Sequence, residues 1–280
     1  MIGSPIGHSL SPVLFNAAFA HCGLDWTYVA FEVPDGQAGS ALAGMRAFGL
    51  GGLSVTMPHK AAVAAGVDAL APDAAALGAV NCVVPHTLES GEVQLLGENT
   101  DGPGFLAALA EEHIDVAGAR VAVFGAGGAA RAVVRALAGA GAVDVLVLNR
   151  TAARAVAAAA LAGDVGRVGL PVDVVSADLV VNATSVGMAG TPLAGQVPLD
   201  PGLLGSGHVV VDLVYEPAET PLLVAAKAQG SRVVGGLGML VHQAALAFGR
   251  WTGVEPPVAV MRAAAEAGLA ARRPPSEVNH

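Results

Sequence analysis

The six residues GAGGAA at 125–130 follow directly on an apolar run, AVF, and lead directly into an alanine-rich one. Glycines at such a junction let the chain turn tightly and bring backbone N–H groups, with the N-terminus of a following helix, against a pyrophosphate. Gly125, Ala126, Gly127, Gly128 and Ala129 form the predicted cradle, and Ala130 stands where the GxGxxG pattern has its third glycine, a place that tolerates a small residue. The acidic residue that would grip the ribose 2′-hydroxyl of NAD, about 20 positions further on, is absent. Asn149, Arg150 and Thr151 end the next apolar run instead, and Arg154 follows one turn later. A guanidinium matches phosphate geometry and a carboxylate repels it, so this set favours the 2′-phosphate of NADP over NAD; the plainer alternative is two arginines of ordinary surface charge.

Elsewhere polar residues are sparse. Ser9 and Ser11 in HSLSP are two positions apart, so in an extended segment their hydroxyls share a face and suit a carboxylate, while Ser11 is equally placed to cap a helix starting at Pro12. Thr56 and Lys60 flank Pro58 in SVTMPHK. The helix dipole disfavours a lysine at the start of an alanine-rich helix, which singles Lys60 out, although most lysines are solvated surface charge. Asn81 in GAVNCVV and Asp101 in GENTDG either serve a site or satisfy backbone groups in turns. NATSVG, and GLGML before His242 and Gln243, are loop signals of low specificity alone. None of the eight histidines falls in HExxH or another ligand spacing, so no catalytic metal is expected.

These residues need elements to hold them, and the chain alternates short β-like runs with alanine-rich helical runs, the pattern of an α/β protein with mainly parallel sheets. In the first third the expected elements are a helix over 12–22, a strand at WTYVAFEV, a helix over 38–47, a strand at GLSVTM, a helix after Pro58, and strands at VNCVV and VQLLGEN. A second unit opens with a helix near 104 and continues as strand, glycine turn, helix and strand up to Arg150, then a helix over 151–162. VDVVS, DLVVNATS and HVVVDLVY read as strands, TPLLVAAKAQG and LVHQAALAFGRWTG as helices, and 256–270 as a more exposed helix. The polar, proline-containing tail 271–280 is expected to fray.

With 54% hydrophobic and 13% charged residues over 280 positions and a mean hydropathy of +0.60, the chain is neither disordered nor a stapled miniprotein. Fourteen Lys+Arg against 23 Asp+Glu give a net charge of -9 with no basic tract, which argues against a nucleic-acid partner. Cys22 and Cys82, with no CxxC, fit a reducing compartment without structural zinc. The N-terminus lacks a signal-peptide pattern, and apolar stretches are interrupted before the roughly 18 residues of a membrane span, so a cytoplasmic protein with no membrane partner is expected.

GSPIGHSLSP, GLSVTMPHK, GAVNCVV, GENTDGPGF, GAGGAARAV, NRT, VNATSVGM, VYEPAETPLL and GGLGMLVHQAALAF occur in this order over residues 3–250. Together they resemble the shikimate dehydrogenase family, within the wider shikimate/quinate dehydrogenases. The resemblance implies an N-terminal α/β substrate domain, 1–103, completed by C-terminal helices 238–270, and a Rossmann-like NADP-binding domain, 104–237, with the active site in the interdomain cleft. It implies reversible, NADP-dependent hydride transfer that reduces 3-dehydroshikimate to shikimate in chorismate and aromatic amino acid biosynthesis, by a monomer or homodimer. The alternatives are a quinate/shikimate or aminoshikimate-type dehydrogenase and, in another class, a nucleotide-sensing paralogue without turnover, against which the presence of both Lys60 and Asp101 argues.

Carried over position by position, Ser9, Ser11, Thr56, Lys60, Asn81, Asp101, Tyr215 and Gln243 resemble the family's substrate pocket, and Lys60 with Asp101 its catalytic pair. Gly125, Ala126, Gly127, Gly128, Ala129, Asn149, Arg150, Thr151 and Arg154 resemble its NADP site, together with Ala183, Thr184, Met188, Leu213, Gly236 and Met239. The chain departs from the pattern twice. Ser54 stands where the family has asparagine, a change expected to alter loop bonding more than chemistry. Only Met1 and Ile2 precede GSPI, so an incomplete first strand, or a misassigned start, is expected.

Overall fold

The computed structural model describes residues 1–272. It divides into two compact units, one made of Met1–Thr100 with the chain from Val241 onward, the other of Asp101–Leu240. The edges expected after 103 and 237 thus fall after Thr100 and Leu240.

The first unit contains β1 (Ile2–Gly3), α1 (Ser11–His21), β2 (Phe31–Glu32), α2 (Ala38–Ala47), β3 (Leu53–Ser54), α3 (Lys60–Gly66), β4 (Ala69–Leu70), α4 (Pro72–Leu77), β5 (Cys82–Thr87) and β6 (Val93–Glu98). One sheet has the order β3-β5-β6-β4, with β5 antiparallel to both its neighbours and β4 parallel to β6. A parallel β1-β2 pair meets this sheet through one bridge, Ile2 to Val55. Ile2 is therefore paired on both sides, with Phe31 and Val55, so a strand of two residues still lies in the interior of the pairing. Ile2, Leu42, Met45, Leu53, Val55, Val63, Val83 and Leu95 pack as one core. WTYVAFEV yields only the two strand residues of β2 because the Asn16 side chain takes both backbone groups of Tyr28, accepting its N–H at 2.8 Å and donating to its carbonyl at 3.0 Å. That removes Tyr28 from any ladder.

The second unit runs α5 (Asp101–Glu111), β7 (Arg120–Phe124), α6 (Gly128–Gly139), β8 (Asp144–Leu148), α7 (Ala152–Ala159), β9 (Gly166–Val168), β10 (Leu179–Asn182), β11 (Val209–Asp212), α8 (Pro221–Ala228) and β12 (Arg232–Val234). Its six strands are all parallel, in the order β12-β11-β10-β7-β8-β9. This is the doubly wound order in which the chain reverses direction beside the first strand. Val121, Val123, Val145, Val147, Val181 and Val211 fill one face with Val133 and Leu137, and Ala122, Phe124, Leu146, Leu148, Val180 and Val210 fill the other with Leu222 and Ala226. Strands covered on both faces need apolar residues at every position, which is why these segments read as unbroken runs.

Two C-terminal helices follow, α9 (Leu237–Thr252) and α10 (Val258–Ala270), and the division after Leu240 falls inside α9. The part of α9 in the first unit buries Val241, Ala244, Ala245 and Phe248, and the Trp251 indole donates to the Val83 carbonyl of β5 at 3.1 Å.

VDVVS is not a strand. Residues Pro171–Ser176 form a 3-10 turn, opened by proline and closed locally, since the Asp173 carboxylate accepts the Leu170 N–H at 2.7 Å and the Ser176 hydroxyl donates to the Asp173 carbonyl at 2.9 Å. Short-range polar bonds won over β propensity there. At the far end Arg272 is held rather than frayed, its guanidinium donating to the His8 and Ser9 carbonyls at 2.7 and 3.3 Å. The rest of the expected fraying tail, 273–280, lies outside the described residues. No helix among the described residues is long and apolar enough to cross a membrane.

Candidate active site

In the first unit the serine loop is organised by the start of α1. The segment is not extended through Ser11, because α1 begins at Ser11 and Pro12 occupies its first turn. Neither Ser11 nor the flanking Leu10 caps the helix through a side chain; instead the Ser9 hydroxyl accepts the Ser11 N–H at 3.2 Å. The capping role read for Ser11 belongs to Ser9. Both hydroxyls therefore stand at the N-terminus of an eleven-residue helix, where orphan N–H groups and the dipole favour an anion.

Thr56 and Lys60 bracket a tight corner between β3 and α3. Buried His59 anchors that corner through a 2.8 Å contact of its Nε2 with the Val33 carbonyl. Lys60 is the first residue of α3 and half-buried, and its own carbonyl accepts the Val80 N–H at 3.0 Å. That bond sets Lys60 against the residue preceding Asn81.

Asn81 is the hub of this unit. Its backbone bridges β3 and β6, accepting from Val55 N–H at 2.8 Å and donating to the Glu98 carbonyl at 3.1 Å. Its buried side chain accepts the Thr100 N–H at 2.7 Å and donates to the Thr100 hydroxyl at 3.0 Å. The Thr100 hydroxyl in turn donates to the Gln243 carbonyl in α9 at 3.0 Å. Asn81, Gln243 and the chain entering Asp101 are thus tied together within the first unit, while Asp101 itself is buried as the first residue of α5 in the second.

In the second unit the glycine turn lies at the C-terminal end of β7. Gly125 has φ +113°, a conformation closed to side-chain-bearing residues, and a Cβ there would come within 2.8 Å of the Ala183 carbonyl oxygen. Gly127 flanks α6 in extended backbone, Gly128 is its first residue, and Ala130 is fully buried, as a small third residue of this turn must be. Ala126 is half-buried and Ala129 lies in the first turn of α6. At the end of β8, Asn149 donates to the Thr151 carbonyl at 3.0 Å, Thr151 flanks α7, and Arg150 and Arg154 are exposed. Donors at a helix start, with no acid at the second strand end, fit a dinucleotide carrying a 2′-phosphate.

Ala183, Thr184, Met188, Leu213, Tyr215, Gly236 and Met239 all lie in this unit, on or beside the loops following β10, β11 and β12. Gly236 packs so tightly that a Cβ would fall onto the Leu213 and Asp212 carbonyls. Sequence reading missed what holds these loops. Fully buried Asp212 accepts from Asn182 Nδ2 at 2.8 Å, Val214 N–H at 3.0 Å and the Thr220 hydroxyl at 2.6 Å. Asn182 Oδ1 accepts from the Thr184 N–H and hydroxyl at 3.1 and 2.7 Å. Burial pushes the Asp212 carboxyl above its ordinary value, and the three donors oppose that rise. Polar residues at the ends of two apolar runs were the available signal.

A doubly wound parallel sheet with this turn defines a dinucleotide-binding α/β protein, here fused to a second α/β unit that carries a lysine and an anion-suited helix start. The chain belongs to the shikimate dehydrogenase family. Residues 1–83 match the model of the shikimate dehydrogenase substrate binding domain, 108–188 that of shikimate / quinate 5-dehydrogenase, and 236–266 that of the shikimate 5'-dehydrogenase C-terminal domain. The chain is 47% identical over 271 residues to the shikimate dehydrogenase (NADP(+)) of Moorella thermoacetica, covering 93% of this chain and 90% of that one. Shikimate 5-dehydrogenase from Thermus thermophilus, solved with NADP(H) and shikimate, superposes with a TM-score of 0.87 at 40% identity, covering 96% of this chain and 98% of that one. Quinate dehydrogenase from Corynebacterium glutamicum, solved with NAD, gives 0.85 at 33% identity, over 95% and 97% of the two chains.

Proposed function

We propose that this chain reduces 3-dehydroshikimate to shikimate with NADPH, reversibly, as a step in aromatic amino acid biosynthesis. The observation that carries the reading is the Asn81 hub, which ties the corner bearing Lys60 to Thr100 and Gln243 through buried hydrogen bonds. Such fixed geometry costs side-chain freedom and suits a ligand rich in hydroxyls. The family relationship supplies the substrate.

In this reading the Ser9 and Ser11 hydroxyls, with the α1 N-terminus, hold the carboxylate. Thr56, Asn81, Asp101 and Gln243 receive the ring hydroxyls, and Tyr215 belongs to the same substrate set. Bound NADPH supplies the hydride, which adds to C3 of the substrate ketone. Lys60 gives a proton to the C3 oxygen as its bond to carbon becomes single, and takes it back in the reverse direction, while Asp101 is the carboxylate partner of the pair. Gly125, Gly127 and Gly128 admit the pyrophosphate, and Arg150, Thr151 and Arg154 read the 2′-phosphate. Cys22 and Cys82 are both unbonded, which supports a reducing, cytoplasmic setting.

The test is NADPH oxidation with 3-dehydroshikimate, run beside NADP and NAD reduction with shikimate and with quinate. Turnover with 3-dehydroshikimate and shikimate, preferring the phosphorylated cofactor, is expected. Turnover confined to quinate with NAD, or none at all, overturns the reading.

A further inference from the structure

Tyr28 is fixed from three sides, and only one of them concerns its hydroxyl. Its ring stacks on Phe15 with centroids 4.3 Å apart and planes 2° from parallel, and Trp251 tilts against it at 6.1 Å. Its backbone is clamped by Asn16. The ring would sit in the same place as phenylalanine, so packing does not account for the hydroxyl. That hydroxyl donates to the Ser54 Oγ at 2.6 Å, at the short end of O–H···O distances, and the Ser11 hydroxyl lies near the same phenol oxygen.

The direction of the first bond matters. A phenol is the stronger donor of the pair, and burial drives its pKa above the ordinary value, so it keeps its proton. Ser54 Oγ then accepts on that side, and its own proton is free to be donated onward. Ser54 lies at the end of β3, two residues before Thr56, and pairs with Cys82 beside the Asn81 hub. Ser11 stands at the start of α1 beside Ser9. The buried tyrosine thus holds the Ser54 hydroxyl of β3 while its ring packs on Phe15 of α1.

We propose that Tyr28 is a positioning residue for the carboxylate end of the substrate, its hydroxyl orienting Ser54 so that Ser54 presents its own donor to the anion alongside the serine loop. The proposal rests on the reading of the serine loop given above. It also assigns a task to Ser54, where asparagine would have offered an amide donor that needs no neighbour to orient it.

The experiment compares 3-dehydroshikimate with its methyl ester, which keeps the ring and removes the charge. Tyr28→Phe is expected to raise KM for the acid by about five- to tenfold, the effect of one misaligned hydrogen bond to an anion. Its kcat, its KM for NADPH and its KM for the ester are expected to stay within about twofold of wild type. Ser54→Ala is expected to raise KM for the acid similarly, and the double variant to add little, because one bond has been removed from either end. An unchanged KM for the acid, or equal rises for acid and ester, overturns the positioning role and leaves Tyr28 a packing residue. Absence of turnover by the wild-type chain overturns the proposed activity itself, and the role of Tyr28 with it.

Discussion

The two units fix their functional residues by different means. In the second, the turn assigned to the cofactor pyrophosphate is dictated by backbone, by the ends of parallel strands and a glycine with φ +113°, and only the loops beyond it are pinned by side chains, in the Asp212 cluster. In the first, strands of two residues carry little of the load, and the site is assembled from side chains bonding to distant backbone, as in Asn16 to Tyr28, Asn81 to Thr100 and His59 to Val33. A backbone-defined site tolerates side-chain change but not a Cβ in the wrong place. A side-chain-defined site responds to deletion of single groups.

The largest effect is expected in the first unit, at the group proposed to move a proton. Lys60→Ala should lower kcat by about 10²-fold or more with substrate KM within a few-fold, because the loss falls on the transition state. Steady-state kinetics with 3-dehydroshikimate decide it, and a near-normal kcat would return Lys60 to ordinary surface charge. The matching test of the second unit adds an atom instead of removing one. Gly125→Ala should raise KM for NADPH by about tenfold or more and lower stability by about 1–3 kcal/mol, since the methyl meets the Ala183 carbonyl in a conformation that disfavours it. Wild-type NADPH affinity in a folded Gly125→Ala variant would break the contrast between the units.

Arg150 sharpens the comparison, because it is a side chain in the backbone-defined unit. Arg150→Ala should raise the NADP KM by about tenfold while barely changing use of NAD, a loss specific to the 2′-phosphate. Equal losses with both cofactors would transfer the preference to Thr151 or Arg154.

The smallest effect should be alike in the two units. Asp68 accepts the Leu95 N–H at 2.6 Å and pairs with Arg46, and Asp178 accepts the Arg120 N–H at 2.8 Å and pairs with the same arginine's side chain. Those backbone bonds hold each carboxyl below its ordinary value of 3.8. The stabilisation is present above that value and is lost as pH falls through the lowered one. Asp68→Asn and Asp178→Asn should each lower the melting temperature at neutral pH by about 1–3 °C, as exposed pairs do, with the difference from wild type shrinking below about pH 4. A difference that persists in acid would mean that charge is not its source.

The same contrast explains what could be read beforehand. The strand, turn, helix and strand over 120–148 were legible because both the apolar runs and the glycines are local signals. β4, α4, β9 and β12 escaped notice: three are strands of two or three residues and the fourth a six-residue helix, too short for a period to show. Tyr28 looked like a strand residue because its partners, Asn16 and Ser54, lie 12 and 26 positions away. Asp212 showed only as a polar residue closing an apolar run, and its partner stayed hidden, since Asn182 is 30 positions from it and only the fold brings the two strand ends together.

The contact of Arg272 with the carbonyls of His8 and Ser9 spans 264 and 263 positions. Synthesis delivers the serine loop before the second unit and its clamp after it, as it does Gln243 and Trp251, which complete the first unit from α9. The first unit therefore waits for the whole of the second to be translated before it can close these particular bonds. For that interval Phe15 and Phe19 lack Trp251 and Phe248, their ring partners in α9, and apolar surface left uncovered in this way makes the N-terminal third prone to aggregate until α9 arrives.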